Sequence, residues 1–161
     1  AGLGTHPYLR AGDAPPATCT LTLAADRVVD VDDAMVPTGV RPVRDAEDLR
    51  GGRRVGDLSL DTCFGADPGP DGVLAELTAP DGRATLLWGD PDVRWVQVFT
   101  PDDLAGRGAA VAVEPMTCPP DALNSGTDVR VLAPGETWTV RWGIAARDGR
   151  GGDGPLERDR A

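Results

Sequence analysis

The stretch that decides the fold class is Arg94-Trp95-Val96-Gln97-Val98-Phe99-Thr100. Its side chains alternate, with Trp95, Gln97 and Phe99 on one side and two valines between them on the other. Successive side chains of a β-strand point to opposite faces of the sheet, so this pattern predicts a strand. It also predicts that Trp95 and Gln97 face the same way.

The same period of two recurs along most of the chain. Further strands are predicted over residues 18–23, 28–31, 73–78, 83–88, 109–114 and 137–145. Pro80-Asp81-Gly82 separates two of them, and Asp-Gly between strand-like runs is a strong hairpin signal. Helical patterns are limited to single turns over 45–49 and 101–104. Many short strands separated by 21 glycines and 15 prolines predict an all-β sandwich or barrel.

The domain organisation follows from where the apolar pattern stops. One folded domain is predicted for residues 1–147, and residues 148–161, which are rich in Gly, Asp and Arg, are predicted to form a disordered tail. The chain does not begin with methionine, and we expect it to be a fragment of a longer protein.

Composition excludes several classes of function. The formal net charge is −10, whereas binding to nucleic acid or to an anionic membrane requires a positive patch. No apolar run approaches the roughly 20 residues that span a bilayer, and no signal-peptide pattern is present. Cys19, Cys63 and Cys118 form no CxxC pair, which predicts reduced thiols in a cytoplasmic protein and no metal site.

The single histidine, His6, is the first candidate for catalysis, because histidine is the side chain that titrates near neutrality. It lies in Gly2-Leu3-Gly4-Thr5-His6-Pro7-Tyr8, beside the only tyrosine. Glycine and proline on both sides predict a turn or a strand end. The alternative is a surface-loop histidine without a role.

Two carboxylates are the other candidates. Asp61 lies among apolar residues near a predicted core edge, with a turn aspartate that caps a backbone N–H as the alternative. Glu114 ends an apolar strand, and Pro115 restricts it to extended geometry. Its alternative is an exposed strand-end glutamate. A histidine and a carboxylate across a cleft are the minimum set for general acid–base catalysis.

Seven short motifs in the same order resemble the C-terminal half of the aldose 1-epimerase (galactose mutarotase) family. They are Gly2-Leu3-Gly4-Thr5-His6-Pro7-Tyr8, Val36-Pro37-Thr38-Gly39, Asp48-Leu49-Arg50, Leu60-Asp61-Thr62-Cys63-Phe64, Val96-Gln97-Val98-Phe99-Thr100, the run from Val113 to Ala122, and Leu132-Ala133-Pro134-Gly135-Glu136. The resemblance implies a β-sandwich of the galactose mutarotase-like supersandwich type. Residues 1–147 would be its C-terminal part, and the missing N-terminal half would be a partner.

The resemblance also implies the chemistry of the site. His6 would be the general acid, Glu114 the general base, and Asp61 would hold a sugar hydroxyl. Tyr8 and Gln97 are predicted to contact the sugar as well. The substrate would be a small aldose of the glucose or galactose type, and no cofactor or metal is needed. Trp95 is either a stacking platform for the sugar or a buried core residue.

Three alternatives remain open at this stage. One is a mutarotase-like module that binds carbohydrate without turnover, although a pure binder has no need of an acid–base pair. Another is a sugar-phosphate mutarotase, for which Arg10, Arg41 and Arg44 are candidate anion ligands. The third is a structural β-sandwich without a ligand.

Overall fold

The described part of the chain, residues 1–149 of a computed structural model, contains ten strands. They are β1 (Thr20–Leu23), β2 (Ala25–Val31), β3 (Pro37–Pro42), β4 (Arg53–Arg54), β5 (Asp61–Ala66), β6 (Val73–Thr78), β7 (Ala84–Gly89), β8 (Trp95–Phe99), β9 (Ala112–Met116) and β10 (Trp142–Arg147). The first sheet has the order β10-β7-β6-β1-β4 and the second β3-β2-β5-β8-β9. All pairings are antiparallel, so the predicted all-β sandwich is confirmed.

Within residues 1–149, helical structure is confined to short turns. One α-helical turn, α1, covers Ala122–Ser125, and 3-10 turns cover Pro16–Thr18, Asp45–Glu47 and Val55–Asp57. The turn expected over 45–49 is confirmed, whereas the one expected over 101–104 is wrong, because this segment is an irregular loop. The turn α1 was not predicted.

The predicted hairpin at Pro80-Asp81-Gly82 is present between β6 and β7, where the amide of Ala79 donates to the carbonyl of Arg83 at 2.8 Å. The strands predicted over 109–114 and 137–145 are shifted toward the C-terminus, to β9 and β10. Alternation alone missed β3, β4 and β5. The strand β3 begins and ends with proline, a composition that is tolerated at the sheet edge where it lies.

The hydrophobic core lies between the two sheets. The first sheet contributes Leu21, Leu77 and Leu87 and the second Phe64 and Val96, all of them fully buried. Because side chains alternate along each strand, the second sheet turns its other residues away from this core. We call this the outer face; its residues include Asp61, Cys63, Trp95, Gln97, Glu114 and Met116.

The N-terminal segment, residues 3–9, lies antiparallel along β9. Bridges join Gly4 to Met116 and Tyr8 to Ala112, so His6 lies in an extended segment. Of the predicted turn or strand end, the turn is wrong and the strand-like alternative agrees with the bridges. Gly4 does not have a positive φ. Its role is close approach, since a Cβ at this position would lie 3.1 Å from Cγ of Met116.

The end of the chain bears on two further predictions. The predicted tail, residues 148–161, lies outside the described residues apart from its first two, and the boundary at residue 147 stays a prediction. Within residues 1–149, no helix has the length and apolar character needed to cross a bilayer.

Candidate active site

His6 and Glu114 meet at the edge of the outer face. The two bridges on either side of His6 place it opposite Glu114, and Nε2 of His6 lies 3.1 Å from Oε1 of Glu114. The His6 side chain is 53% exposed and that of Glu114 is 14% exposed. An accessible imidazole therefore contacts a largely buried carboxylate, an arrangement suited to paired proton transfer.

Glu114 occupies the middle of β9, where it pairs with Gln97 of β8. The expectation that it ends a strand is wrong, because the ladder continues through Pro115 to Met116. Pro115 has no N–H to donate, but its carbonyl accepts from the amide of Thr5 at 3.3 Å. Because the N-terminal segment pairs with β9, Glu114 lies between two neighbouring strands and not at a free edge of the sheet.

The surroundings of Glu114 shift the pKa of its carboxyl upward. Burial raises the pKa of the Glu114 carboxyl above its usual range, the neighbouring His6 opposes this, and the charge of Asp61 adds to it. A general base is most effective when its pKa lies near the working pH. The largely buried position of Glu114 shifts its pKa in this direction.

Gln97 and Asp61 extend the site across the sheet. Nε2 of Gln97 donates to Oδ1 of Asp61 at 2.7 Å. Asp61 is the first residue of β5, and its carboxylate accepts this side-chain bond. Gln97 faces the same side as Glu114, as the alternation predicts. The structure therefore brings four predicted site residues together: His6, Glu114, Gln97 and Asp61.

Tyr8, the fifth predicted site residue, lies beside His6. The centroids of the two rings are 5.1 Å apart, and their planes are tilted by 34°. Tyr8 is 39% exposed on the same side of the N-terminal segment as His6. The Tyr8 ring therefore packs against the imidazole at the border of the site.

Trp95 is not available to a ligand. It is 3% exposed, and its Nε1 donates to Oδ2 of Asp128 at 2.8 Å. The guanidinium of Arg27 lies 5.8 Å from the ring centroid. Of the two predictions for Trp95, the buried residue is confirmed. Sequence reasoning missed Asp128, and its positive φ in an irregular loop gives no signal in a single sequence.

Cys63 is a buried neighbour of the site on the outer face, and the sequence did not predict it as part of the site. It pairs with Gln97 across the sheet and is buried. Burial, with smaller effects of Cys118 and Glu114, raises the pKa of the thiol to about 12. Its position two residues after Asp61 in an alternating strand is the signal that could have placed it on this face. A neutral thiol adds no charge beside Glu114.

The arginines considered as anion ligands are dispersed. Arg41 lies on β3 and is bound by Asp30 and Glu47, with nitrogen–oxygen distances of 2.9 and 2.7 Å. Arg44 follows the same strand, at the edge opposite β9. Arg10 alone lies near Tyr8, along the N-terminal segment. Among residues 1–149, no three side chains of His, Cys, Asp or Glu converge as a metal site.

Comparison with protein families gives an independent result. The sequence model of the family described as aldose 1-epimerase matches residues 1–145, which is most of the chain. The uncharacterized protein YihR of Escherichia coli strain K12 is 32% identical over 145 residues, covering 84% of this chain and 42% of YihR.

Solved structures show the same fold. A galactose mutarotase-like protein from Clostridium acetobutylicum superimposes with a TM-score of 0.76 at 15% identity, covering 91% of this chain and 47% of that one. A GalM/aldose epimerase homologue from C. elegans has a TM-score of 0.57 at 23% identity, covering 71% and 41%. The chain spans about half the length of the proteins it matches.

Proposed function

The chain belongs to the aldose 1-epimerase family, and from this premise we propose that it interconverts the α and β anomers of an aldohexose. The observation that carries the proposal is the contact of 3.1 Å between His6 Nε2 and Glu114 Oε1. Conversion of one anomer into the other requires one group that donates a proton and one that accepts a proton. This pair supplies both on an accessible face.

The proposed ring opening uses both groups at once. The Glu114 carboxylate removes the proton from the C1 hydroxyl while the His6 imidazolium gives a proton to the ring oxygen. The bond between C1 and the ring oxygen breaks, and C1 becomes an aldehyde. Rotation about C1–C2 then presents its other face. Closure reverses both transfers, so His6 and Glu114 return to their starting protonation states.

Asp61 and Gln97 are proposed to bind sugar hydroxyls. The amide group of Gln97 has donated one hydrogen to Asp61, which leaves its carbonyl free to accept from a hydroxyl. The carboxylate of Asp61 retains further acceptor positions. Tyr8, next to His6, is proposed to contact the far side of the ring. Each such hydrogen bond fixes the sugar relative to the acid–base pair.

The site is proposed to be completed by further polypeptide. Within residues 1–149, β10 is an edge strand of its sheet, and its Trp142 and Ile144 are exposed. Relatives are about twice as long as this chain. We therefore propose that the part those proteins have in addition covers this edge and encloses the sugar.

The test is polarimetry or NMR exchange with fresh α-D-glucose and α-D-galactose. It is run on the 161-residue chain and on any longer protein that contains it. Glu114→Gln and His6→Asn should each lower the catalysed rate by about 10²- to 10⁴-fold. Glu76→Gln is the matched control, because Glu76 is a partly buried glutamate in the first sheet.

A near-normal rate in Glu114→Gln would remove this residue as the base. Sugar binding without any acceleration in the unmodified protein would favour the non-catalytic carbohydrate-binding module instead.

A further inference from the structure

The backbone ladder that holds the N-terminal segment is weakened on both sides of His6. In an antiparallel pair, two residues in a hydrogen-bonded position exchange two N–H···O bonds. Thr5 and Pro115 share one bond, at 3.3 Å, in which the amide of Thr5 donates. Pro7 and Val113 also share one, at 3.1 Å, in which the amide of Val113 donates. Proline has no N–H, so neither pair can form its second bond.

The two ends of the segment are anchored differently. Leu9, three residues after His6, is buried in the core, and its amide donates to the carbonyl of Val111 at 3.0 Å. Leu3, three residues before His6, is 51% exposed. Burial therefore holds the Leu9 end only, and a position of His6 that is fixed from both sides requires another contact at Leu3.

Thr117 supplies this contact. It directly follows β9, and it is buried although it is polar. Its hydroxyl accepts from the amide of Leu3 at 2.9 Å and lies 3.4 Å from the carbonyl of Leu3. The amide of Thr117 donates to the same carbonyl at 2.9 Å. One residue of the folded sheet thus binds both backbone groups of Leu3.

Close packing supports the same alignment of the segment. A Cβ at Gly2 would collide with Sγ of Cys118, so the backbone at Gly2 lies directly against that side chain. Gly4 approaches Met116 in the same way. The residues on either side of Leu3 therefore lie in close contact with the chain around Thr117.

We propose that Thr117 is a positioning residue for proton transfer, because its hydroxyl fixes the segment that places the His6 imidazole against Glu114. The effect on catalysis rests on the proposed function. Thr117 has no contact with the sugar in this proposal and acts on His6 through Leu3. A proton donor must lie within hydrogen-bond reach of the atom that it protonates. A misplacement of about 1 Å can lower a rate by about 100-fold.

The first test removes the hydroxyl and keeps the shape of the side chain. Thr117→Val should lower kcat about 10- to 100-fold in polarimetry with fresh α-D-glucose or α-D-galactose. KM should stay nearly unchanged, because Asp61 and Gln97 are untouched. Thr117→Ser keeps the hydroxyl and should restore most of kcat. An unchanged kcat in Thr117→Val, or an equal loss in Thr117→Ser, would overturn the proposal.

The second test needs no activity. His6 is the only histidine, so the signal of its ring Cε1–H is identified without ambiguity by NMR. Glu114→Gln should change the chemical shift of this signal at constant pH, because the two side chains are in contact. In a Thr117→Val background the same change should have a clearly smaller effect, which a double-mutant cycle measures. An equal response in both backgrounds would overturn the proposal.

Thr100→Val is the matched control for a purely structural loss. Thr100 is a buried threonine whose hydroxyl accepts from the amide of Leu60 at 2.8 Å and donates to the carbonyl of Leu58 at 3.3 Å. Thr100→Val should lower the melting temperature about as much as Thr117→Val and leave the response of the histidine signal intact. Equal loss of the response in the two variants would overturn the proposal.

If Thr117→Val fails to fold, Leu3→Pro decides, because proline removes the same bond at an exposed residue. An intact response of the histidine signal in Leu3→Pro would then overturn the proposal. A response that is lost in Thr117→Val and kept in Thr117→Ser, in a protein that accelerates no mutarotation, would leave the positioning role standing and refute the proposed function.

Discussion

The two ends of the outer face differ, although they belong to the same strands. At the end that faces His6, Glu114 and Gln97 remain accessible to a ligand. Two residues away along the same strands, Trp95 lies in a buried apolar cluster, and the partly buried Met116 packs against it. The loop that follows β9 makes the difference, because its Asp128 binds the indole N–H of Trp95. Position on a face does not by itself decide whether a residue can meet a ligand.

The largest expected effect is a loss of stability when a residue at the covered end is replaced. Trp95→Ala should lower the free energy of unfolding by about 3–5 kcal/mol, because it empties a buried aromatic position. Gln97→Ala, at the accessible end of the same strand, should lower it by less than about 1 kcal/mol. Urea unfolding followed by circular dichroism compares the two. Equal losses would contradict the distinction between the ends.

The bond that holds the loop over Trp95 can be isolated. Asp128→Ala leaves the buried indole N–H without its acceptor and should cost about 1–3 kcal/mol of unfolding free energy. In a Trp95→Phe background, which has no N–H, the same change should cost clearly less, and a double-mutant cycle measures that coupling. An additive result would show that this bond does not hold the loop.

At the accessible end, the expected effect is on the KM for the proposed aldose substrate. Gln97→Ala should raise KM for the aldose roughly tenfold, as expected for one lost hydrogen bond to substrate. Asp61→Asn, which keeps the shape of the side chain, should raise KM through its loss of charge. Steady-state polarimetry measures both. An unchanged KM in both variants would remove these two residues from the sugar site.

The raised pKa of Glu114 predicts a pH-dependent stability. The folded state favours the protonated carboxyl, so ionised Glu114 lowers stability above its folded pKa, and the penalty disappears below the pKa of the unfolded chain. Glu114→Gln should therefore raise the melting temperature at pH 8, by about a few degrees at most, and the gain should vanish near pH 4. A gain that grows at low pH would contradict the assigned direction.

The smallest effect should be on thiol reactivity. Burial raises the pKa of both Cys19 and Cys63, whereas Cys118 is only partly buried. With Ellman's reagent at pH 8, Cys118 should react first and the other two only on unfolding. Cys118→Ser should remove the fast phase. A fast phase that persists would show that Cys19 or Cys63 is more accessible than its burial indicates.

The sequence predicted those parts of the fold that depend on nearest neighbours. Alternation located β6, β7 and β8, and Asp-Gly located the hairpin between β6 and β7, because both signals act within a few residues. It missed β5, in which Asp61, Gly65 and an alanine interrupt the usual composition of a strand. That strand forms because β2 and β8 pair with it on both sides, which no local pattern reveals.

The sequence likewise predicted one part of the candidate site, and the tertiary structure decided the other. Residue chemistry singled out His6, Asp61 and Glu114, and the period of two placed Gln97 on the side of Trp95. The structure alone brought residue 6 to within 3.1 Å of residue 114 and showed that Trp95 is covered while Gln97 is not. Side-chain types and local backbone preference are properties of short segments. Contacts across more than a hundred residues arise only when the sheets assemble and the loop after β9 folds over one end of the outer face.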